Sequence, residues 1–293
     1  MTAAVWISLL CAGFNPALTA ADPALSTPPV KVMSFNIRYG SAQDGTNSWP
    51  ARRHLVLETI RLFDPDLLGL QEAVGFQVDF LRENLPHMSF HGAGRDDGQM
   101  RGEFVPVFFR TRRFAMTDSG HFWLSTTPET PGSRGWDAQL PRMVSWVLVE
   151  DRLANDRSLV FANTHFDHRG PQARIESARL IRQQAGALLG PVPAILTGDF
   201  NCTEDDKPYA VLVGGQEFGG ERAFDTYRAI HPQRFPDEVT FNGWMHARTG
   251  KRIDWIIHTP GWITMNAFID YTNDGGRLPS DHYPVGAVLR LEP

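Results

Sequence analysis

Six polar clusters stand where apolar runs begin or end. Val32-Met33-Ser34-Phe35 leads into Asn36, Leu67-Leu68-Gly69-Leu70 into Gln71-Glu72, and the run from Leu159 to Thr164 into His165. Ala194-Ile195-Leu196-Thr197-Gly198 ends at Asp199-Phe200-Asn201, Arg252-Ile253-Asp254 opens a run, and Ser280-Asp281-His282 precedes the last one. Strand ends on one edge of an α/β sheet converge in space, and ligands bind there. Brought together, these clusters supply carboxylates, amides and two imidazoles. An oxygen-rich set of this kind suits Mg²⁺, whereas tetrahedral zinc wants more His and Cys. Taken singly, most have an ordinary structural use. Asn36, Asp199 and Asn201 fit turns, Glu72 fits the start of a helix, and His165 fits a core histidine with its partners satisfied. Asp254 is harder to place that way. A carboxylate between Ile253 and Trp255 in a strand needs a partner before it can be buried.

The elements that must position these residues alternate along the chain. Strands are expected at 30–37, 67–70, 104–109, 114–116, 143–149, 159–164, 194–196, 253–257, 262–268 and 284–291. Helical spacing of Leu55, Ile60 and Leu62 marks 50–62, and Phe76, Val78, Phe80 and Leu81 mark 75–85. The segment 171–189 has Pro in its first turn, Ile175, Ala178, Leu180, Ile181 and Ala185 on one face, and Gly190-Pro191 as a stop. The Pro-, Gly- and Thr-rich stretch 125–141 reads as a long loop. Many strands follow one another as hairpins do. That favours an α/β sandwich of mixed sheets around one core over a doubly wound parallel sheet.

Composition narrows the class. With 293 residues, 42% hydrophobic and 21% charged, the chain can bury a large core, and fibrous and disordered classes are excluded. A net charge of -5, from 28 Lys+Arg against 33 Asp+Glu, argues against a nucleic-acid binder held by charge alone. It leaves room for an enzyme that visits a phosphate substrate briefly. Residues 1–21 read as a secretory signal peptide: an apolar run at 3–12, a break at Pro16 and small residues from Ala17 to Ala21 for cleavage, although no Lys or Arg precedes the run. The expectation is a periplasmic or secreted chain starting near Ala21 or Asp22. Removing Cys11 would leave Cys202 alone, so no intrachain disulfide is expected. No later segment is apolar enough to insert stably in a membrane, and a monomer is expected.

The ordered set Ser34-Phe35-Asn36, Leu70-Gln71-Glu72, Asn163-Thr164-His165, Thr197-Gly198-Asp199-Phe200-Asn201, Arg252-Ile253-Asp254 and Ser280-Asp281-His282 resembles the endonuclease/exonuclease/phosphatase superfamily. The match covers Lys31 to the C-terminus, and the pairing of Gly-Asp-Phe-Asn with a distal Ser-Asp-His is its most specific part. The resemblance implies a four-layer α/β sandwich, two packed mixed sheets flanked by helices, over 22–293. It also implies a Mg²⁺- or Mn²⁺-dependent phosphoesterase of a small bacterial branch. Glu72 matches the principal metal ligand, Asn36 lies beside the metal, and Asp281 matches the acid on the metal side. Asp199 matches the residue that activates the attacking water, with Asn201 on the phosphate. His282 matches the phosphate-binding histidine held by Asp254, and His165 the histidine serving the leaving group.

Arg142 and Arg95 are candidate phosphate clamps, and Glu103 is expected as a surface acid. Trp136, Phe241 and Trp244 either stack on a base or sugar or pin loops. The substrate is a phosphate ester, with nucleic acid, a phospholipid head group and a sugar or inositol phosphate all open. A sphingomyelinase-like lipid phosphodiesterase or an inositol-phosphate phosphatase is the rival activity, and a binding module without catalysis is the rival class. His165-Phe166-Asp167-His168 also matches the tail of a zinc motif of metallo-β-lactamase-like hydrolases, whose first His would fall at Asn163.

Overall fold

The computed structural model describes residues 27–189, 192–214 and 222–292. The expected signal segment, Cys11 and the Gly190-Pro191 stop lie outside these residues.

Twelve strands and five α-helices are described. The strands are β1 (Val30–Asn36), β2 (Leu67–Gln71), β3 (Met88–His91), β4 (Val107–Arg110), β5 (Phe114–Trp123), β6 (Met143–Asp151), β7 (Arg157–His165), β8 (Ala194–Asp199), β9 (Phe224–Asp225), β10 (Asp254–His258), β11 (Trp262–Ile269) and β12 (Val285–Leu291). The helices are α1 (Trp49–Phe63), α2 (Gly75–Asn84), α3 (Pro171–Leu189), α4 (Lys207–Gly214) and α5 (Thr226–Ile230). One six-stranded sheet has the order β11-β12-β1-β2-β4-β3, the other β5-β6-β7-β8-β10-β9. Each is mixed in the same way. The central pairs β1–β2 and β7–β8 are parallel, and every other pairing is antiparallel.

Alternation along β1 explains the layering. Val30 and Val32 face the other sheet and pack with Leu67, Phe161, Ile195 and Leu289. Met33 and Phe35 face outward onto Val56 and Ile60 of α1 and Val78 and Leu81 of α2. Across the molecule Val144, Phe200, Trp255 and Ile257 meet Ala178 and Ile181 of α3 and Val211 and Leu212 of α4. Strands buried on both faces read as continuous apolar runs, as these do. The result is the expected four-layer α/β sandwich.

Several boundaries differ from the pattern read in the sequence. Strand β5 covers ten residues instead of three. Its middle, Thr117 and Asp118, is polar and exposed because β5 is a sheet edge, where burial no longer writes an alternating pattern. Strand β4 starts only at Val107, after Pro106, which has no N–H for the ladder; Phe104 makes isolated bridges with Ala73 and Gly94. Leu62 and Phe76, counted with the apolar faces of their helices, are exposed. The inner face of α1 carries Arg52 with Val56, Leu57 and Ile60.

A polar bridge locks the two sheets beneath the site. Gln71 donates to Asn163 Oδ1 at 2.6 Å, Thr197 donates to the same oxygen at 3.0 Å, and Asn163 Nδ2 donates to the Leu70 carbonyl at 2.6 Å. Gly69 makes this approach possible, since a Cβ there would lie 2.1 Å from Thr197 Oγ1 and 2.7 Å from Asn163 Oδ1. Gly69→Ala is therefore expected to cost about 1–3 kcal/mol by overpacking. An unchanged midpoint in urea unfolding would remove this account of the bridge.

Candidate active site

Register sets the first row of the site. His165 ends β7, Asp199 ends β8 and Asp254 begins the antiparallel β10, and the pairings put His165 opposite Asp199 and Asp199 opposite Asp254. In the other sheet Asn36 is opposite Gln71 at the ends of β1 and β2, and Glu72 follows directly. His282 precedes β12, which is antiparallel to β1. All six clusters thus reach the same edge. Glu72, His165, Asp199, Asn201, Asp281 and His282 line one open cleft of about 450 Å³, shared with Arg38, Tyr39, Glu103, Arg142, His168 and Phe241.

Backbone strain aims two of these side chains. Glu72 has φ 60° and Asn201 φ 47°, left-handed conformations that non-glycine residues rarely hold. Arg38, on the adjoining loop, has φ 59°. That loop is fastened from below. Arg52 donates to the carbonyls of Ile37 (2.7 Å), Arg38 (3.1 Å) and Pro279 (3.0 Å), and Gln77 exchanges hydrogen bonds with Arg38 and Gly40. Sequence inspection missed Arg52 as a support of the site. A lone Arg on the inner face of an otherwise apolar helix was its signal.

Asn36 joins the two sheets at the floor of the cleft. Its Nδ2 donates to Asp199 Oδ2 at 2.9 Å and to Glu72 Oε1 at 3.1 Å, while its Oδ1 accepts from the Arg38 N–H. The amide therefore orients two carboxylates through its nitrogen and turns its oxygen to the Arg38 N–H. Glu72 also accepts from the Tyr39 N–H at 2.8 Å. These donors and the charge of His282 outweigh burial and hold Glu72 below the usual glutamate range.

Asp199 accepts from the Asn201 N–H at 3.0 Å and stands 3.4 Å from His165 Nε2 and 3.7 Å from His282 Nε2. Burial, reinforced by the charge of Asp254, pushes its pKa up to about 7. His282 Nδ1 is 2.9 Å from Asp254 Oδ2. Burial opposes the imidazolium, yet Asp254 and Asp199 together raise its pKa well above the ordinary histidine value. His165 goes the other way. Burial and the charges of Arg142 and Arg95 hold it neutral. Asn201 Nδ2 is 3.0 Å from His165 Nε2. Asp254 answers its sequence riddle: His282 is the partner that allows a carboxylate to be buried in this strand.

The remaining candidates divide. Arg142 lines the cleft, but Arg95 sits behind its wall, where both terminal nitrogens bind Glu103 at 2.7 and 2.9 Å. Glu103, read as a surface acid, lines the cleft instead, and burial raises its pKa despite Arg95. Phe241 lines the mouth, half exposed and edge-on to His282 at 5.0 Å, whereas Trp244 packs over Arg52. The zinc motif does not assemble. Asp167 accepts the backbone N–H groups of Gln139, Leu140, Arg169 and Gly170 and thereby closes a loop. Neither Asp167 nor His168 joins a metal-binding group among the described residues.

The donor set fits a hard divalent cation. Ligand atoms of Glu72, His165 and Asp199 lie within 4.8 Å of one another, and among the described residues no grouping this tight includes Asp281. Asp281 raises a second carboxylate beside Glu72, and Glu72's charge adds to burial in pushing its pKa up. Carboxylates that repel one another in this way are what a hard cation neutralises.

A family model, the endonuclease/exonuclease/phosphatase family, matches residues 33–282. The chain belongs to that family, whose members hydrolyse phosphate esters and generally use a divalent metal. An endonuclease/exonuclease/phosphatase family protein of Bacteroides thetaiotaomicron superposes with TM-score 0.82 at 33% identity, covering 90% of this chain and 98% of that one. A mannosyl-6-phosphatase of the same organism superposes with TM-score 0.79 at 33% identity, over 89% and 99%. Nocturnin of Rattus norvegicus is 23% identical over 90% of this chain; the chain spans 65% of that relative's length. Among the described residues no helix is long and apolar enough to cross a membrane.

Proposed function

We propose that the protein is a Mg²⁺- or Mn²⁺-dependent phosphoesterase that cleaves its ester by in-line attack of water. The observation that carries this is the buried Asp199 carboxylate, fixed among Asn36, His165 and His282 at the floor of a cleft that also holds Glu72. A carboxylate whose pKa lies near 7 accepts a proton from water at neutral pH. Asn201 donates its backbone N–H to Asp199 and its side-chain amide toward His165, which keeps both groups of the row in place. The cationic His282 donates from Nε2 to an oxygen on which charge grows as water adds to phosphorus. Asp254 holds that ring through Nδ1. A divalent cation held by Glu72 with Asp281 would supply neutralisation of phosphoryl charge at the other end of the cleft.

The mannosyl-6-phosphatase likeness, at 33% identity over 89% of the chain, supports a small sugar phosphate over nucleic acid as substrate. The acidic net charge of -5 points the same way. A hydrolysis panel of sugar phosphates, inositol phosphates, DNA, RNA and sphingomyelin tests the reading. Metal-stripped protein should be inactive on every substrate, and Mg²⁺ or Mn²⁺ should restore turnover of at least one. Full activity after stripping, or silence on the whole panel with either metal, overturns it.

A further inference from the structure

Arg142 lies just ahead of β6 and is buried, 4% exposed. Its Nη2 faces His168 Nδ1 at 3.1 Å, and its Nε stands 3.6 Å from Asp167 Oδ2, beyond hydrogen-bond reach. Both Nε and Nη1 lack any hydrogen-bond partner. Buried N–H groups of a charged side chain are rarely left so, because each orphan costs about 1–3 kcal/mol. The nearby groups are committed elsewhere. Glu103 takes both terminal nitrogens of Arg95 and leaves only its Nε unpartnered, and Asp167 is occupied by four backbone N–H groups. Arg142 has two such nitrogens against one on Arg95, and of the two arginines it is the one that lines the same cleft as Asp199 and His282.

Oxygen counting gives this a meaning. A phosphodiester has two non-bridging oxygens, and a monoester has three and a second negative charge. The Glu72 end of the cleft and His282 account for two oxygens, and the unpartnered N–H groups of Arg142 are left for a third. We propose that Arg142 clamps the third non-bridging oxygen and that the substrate class is the phosphate monoester dianion. This rests on the phosphoesterase reading. In the reaction the water oxygen bonds to phosphorus while the phosphorus–ester oxygen bond breaks. One water proton passes to Asp199, the departing alkoxide takes a proton from solvent, and the products are inorganic phosphate and an alcohol.

The test compares wild type, Arg142→Gln and Arg142→Lys, each metal-loaded, on p-nitrophenyl phosphate and bis(p-nitrophenyl) phosphate, which share a leaving group. Calorimetric titration with inorganic phosphate is run alongside, and melting curves check folding. Wild type should favour the monoester in kcat/KM. Arg142→Gln should lower monoester kcat/KM by about 10²-fold, the worth of a charged hydrogen bond, and diester kcat/KM by less than about threefold. Phosphate affinity should fall about tenfold or more, and Lys should recover part of both losses. Equal losses on the two esters, or a wild-type preference for the diester, overturn the proposal. If wild type cleaves neither ester, the phosphoesterase reading fails first and the titration decides the clamp. Phosphate binding lost in Arg142→Gln sustains the clamp, and binding unchanged in that variant removes it.

Discussion

Asp199→Asn is expected to lower kcat by about 10²–10⁴-fold with KM little changed, the range for removal of a positioned general base. The substitution keeps the size of the side chain and can still accept the Asn201 N–H, so the local turn should survive. What it removes is basicity. An amide takes no proton from water, and the added NH₂ also confronts the Asn36 amide, which now donates to Asp199 Oδ2 at 2.9 Å. Because the carboxylate acts as the barrier is crossed, ground-state binding should be nearly untouched. Steady-state kinetics at saturating metal separate kcat from KM, and a calorimetric metal titration checks that the Glu72 end of the site is intact. A kcat within a few-fold of wild type would assign the base elsewhere.

The second large effect belongs to His282, and its form is more telling than its size. His282→Ala should lower kcat by about 10²–10³-fold, as for other donors aimed at developing charge. Asp254 hydrogen-bonds into the cleft through this ring, and its charge also bears on Asp199. Its Oδ2 binds His282 Nδ1 at 2.9 Å and its Oδ1 has no hydrogen-bond partner. Asp254→Asn alone removes the charge that keeps the imidazole cationic and should lower kcat about tenfold or more. In the His282→Ala background its hydrogen-bond partner is gone and only its charge on Asp199 remains. The double variant should therefore fall close to His282→Ala alone, a strongly non-additive cycle. Losses that multiply would mean that Asp254 acts on substrate or metal by a separate route.

Both of these centres are legible in the amino-acid sequence. Gly198-Asp199-Phe200-Asn201 and Ser280-Asp281-His282 stand at ends of apolar runs, and a strand that stops at a turn must present its last polar residue at the sheet edge. The parallel and antiparallel pairings then bring His165, Asp199 and Asp254 into one row. Other parts were hidden for physical reasons. The sequence pattern marks no element between 202 and 250, where the structure has α4, β9 and α5, short elements whose burial comes from tertiary neighbours more than from their own periodicity. Arg95 and Glu103 were separated into clamp and surface acid because sequence does not disclose that they pair. Once Glu103 takes both terminal nitrogens of Arg95, two of the three unpartnered arginine nitrogens of that wall belong to Arg142.

Residue type and the spacing of apolar runs are enough to mark the polar residues that gather at one sheet edge and to layer strands and helices around them, while the roles proposed for those residues come from the family resemblance. How each polar group is used is settled by packing alone. Asn36 turns its nitrogen to the carboxylates, Glu72 and Asn201 hold left-handed backbone, and His165 stays neutral while His282 becomes cationic. The same side chain carries different charge in different surroundings. Two buried arginines beside His165, and two buried carboxylates beside His282, come from segments far apart along the chain, and their fields add only after the sheets have packed.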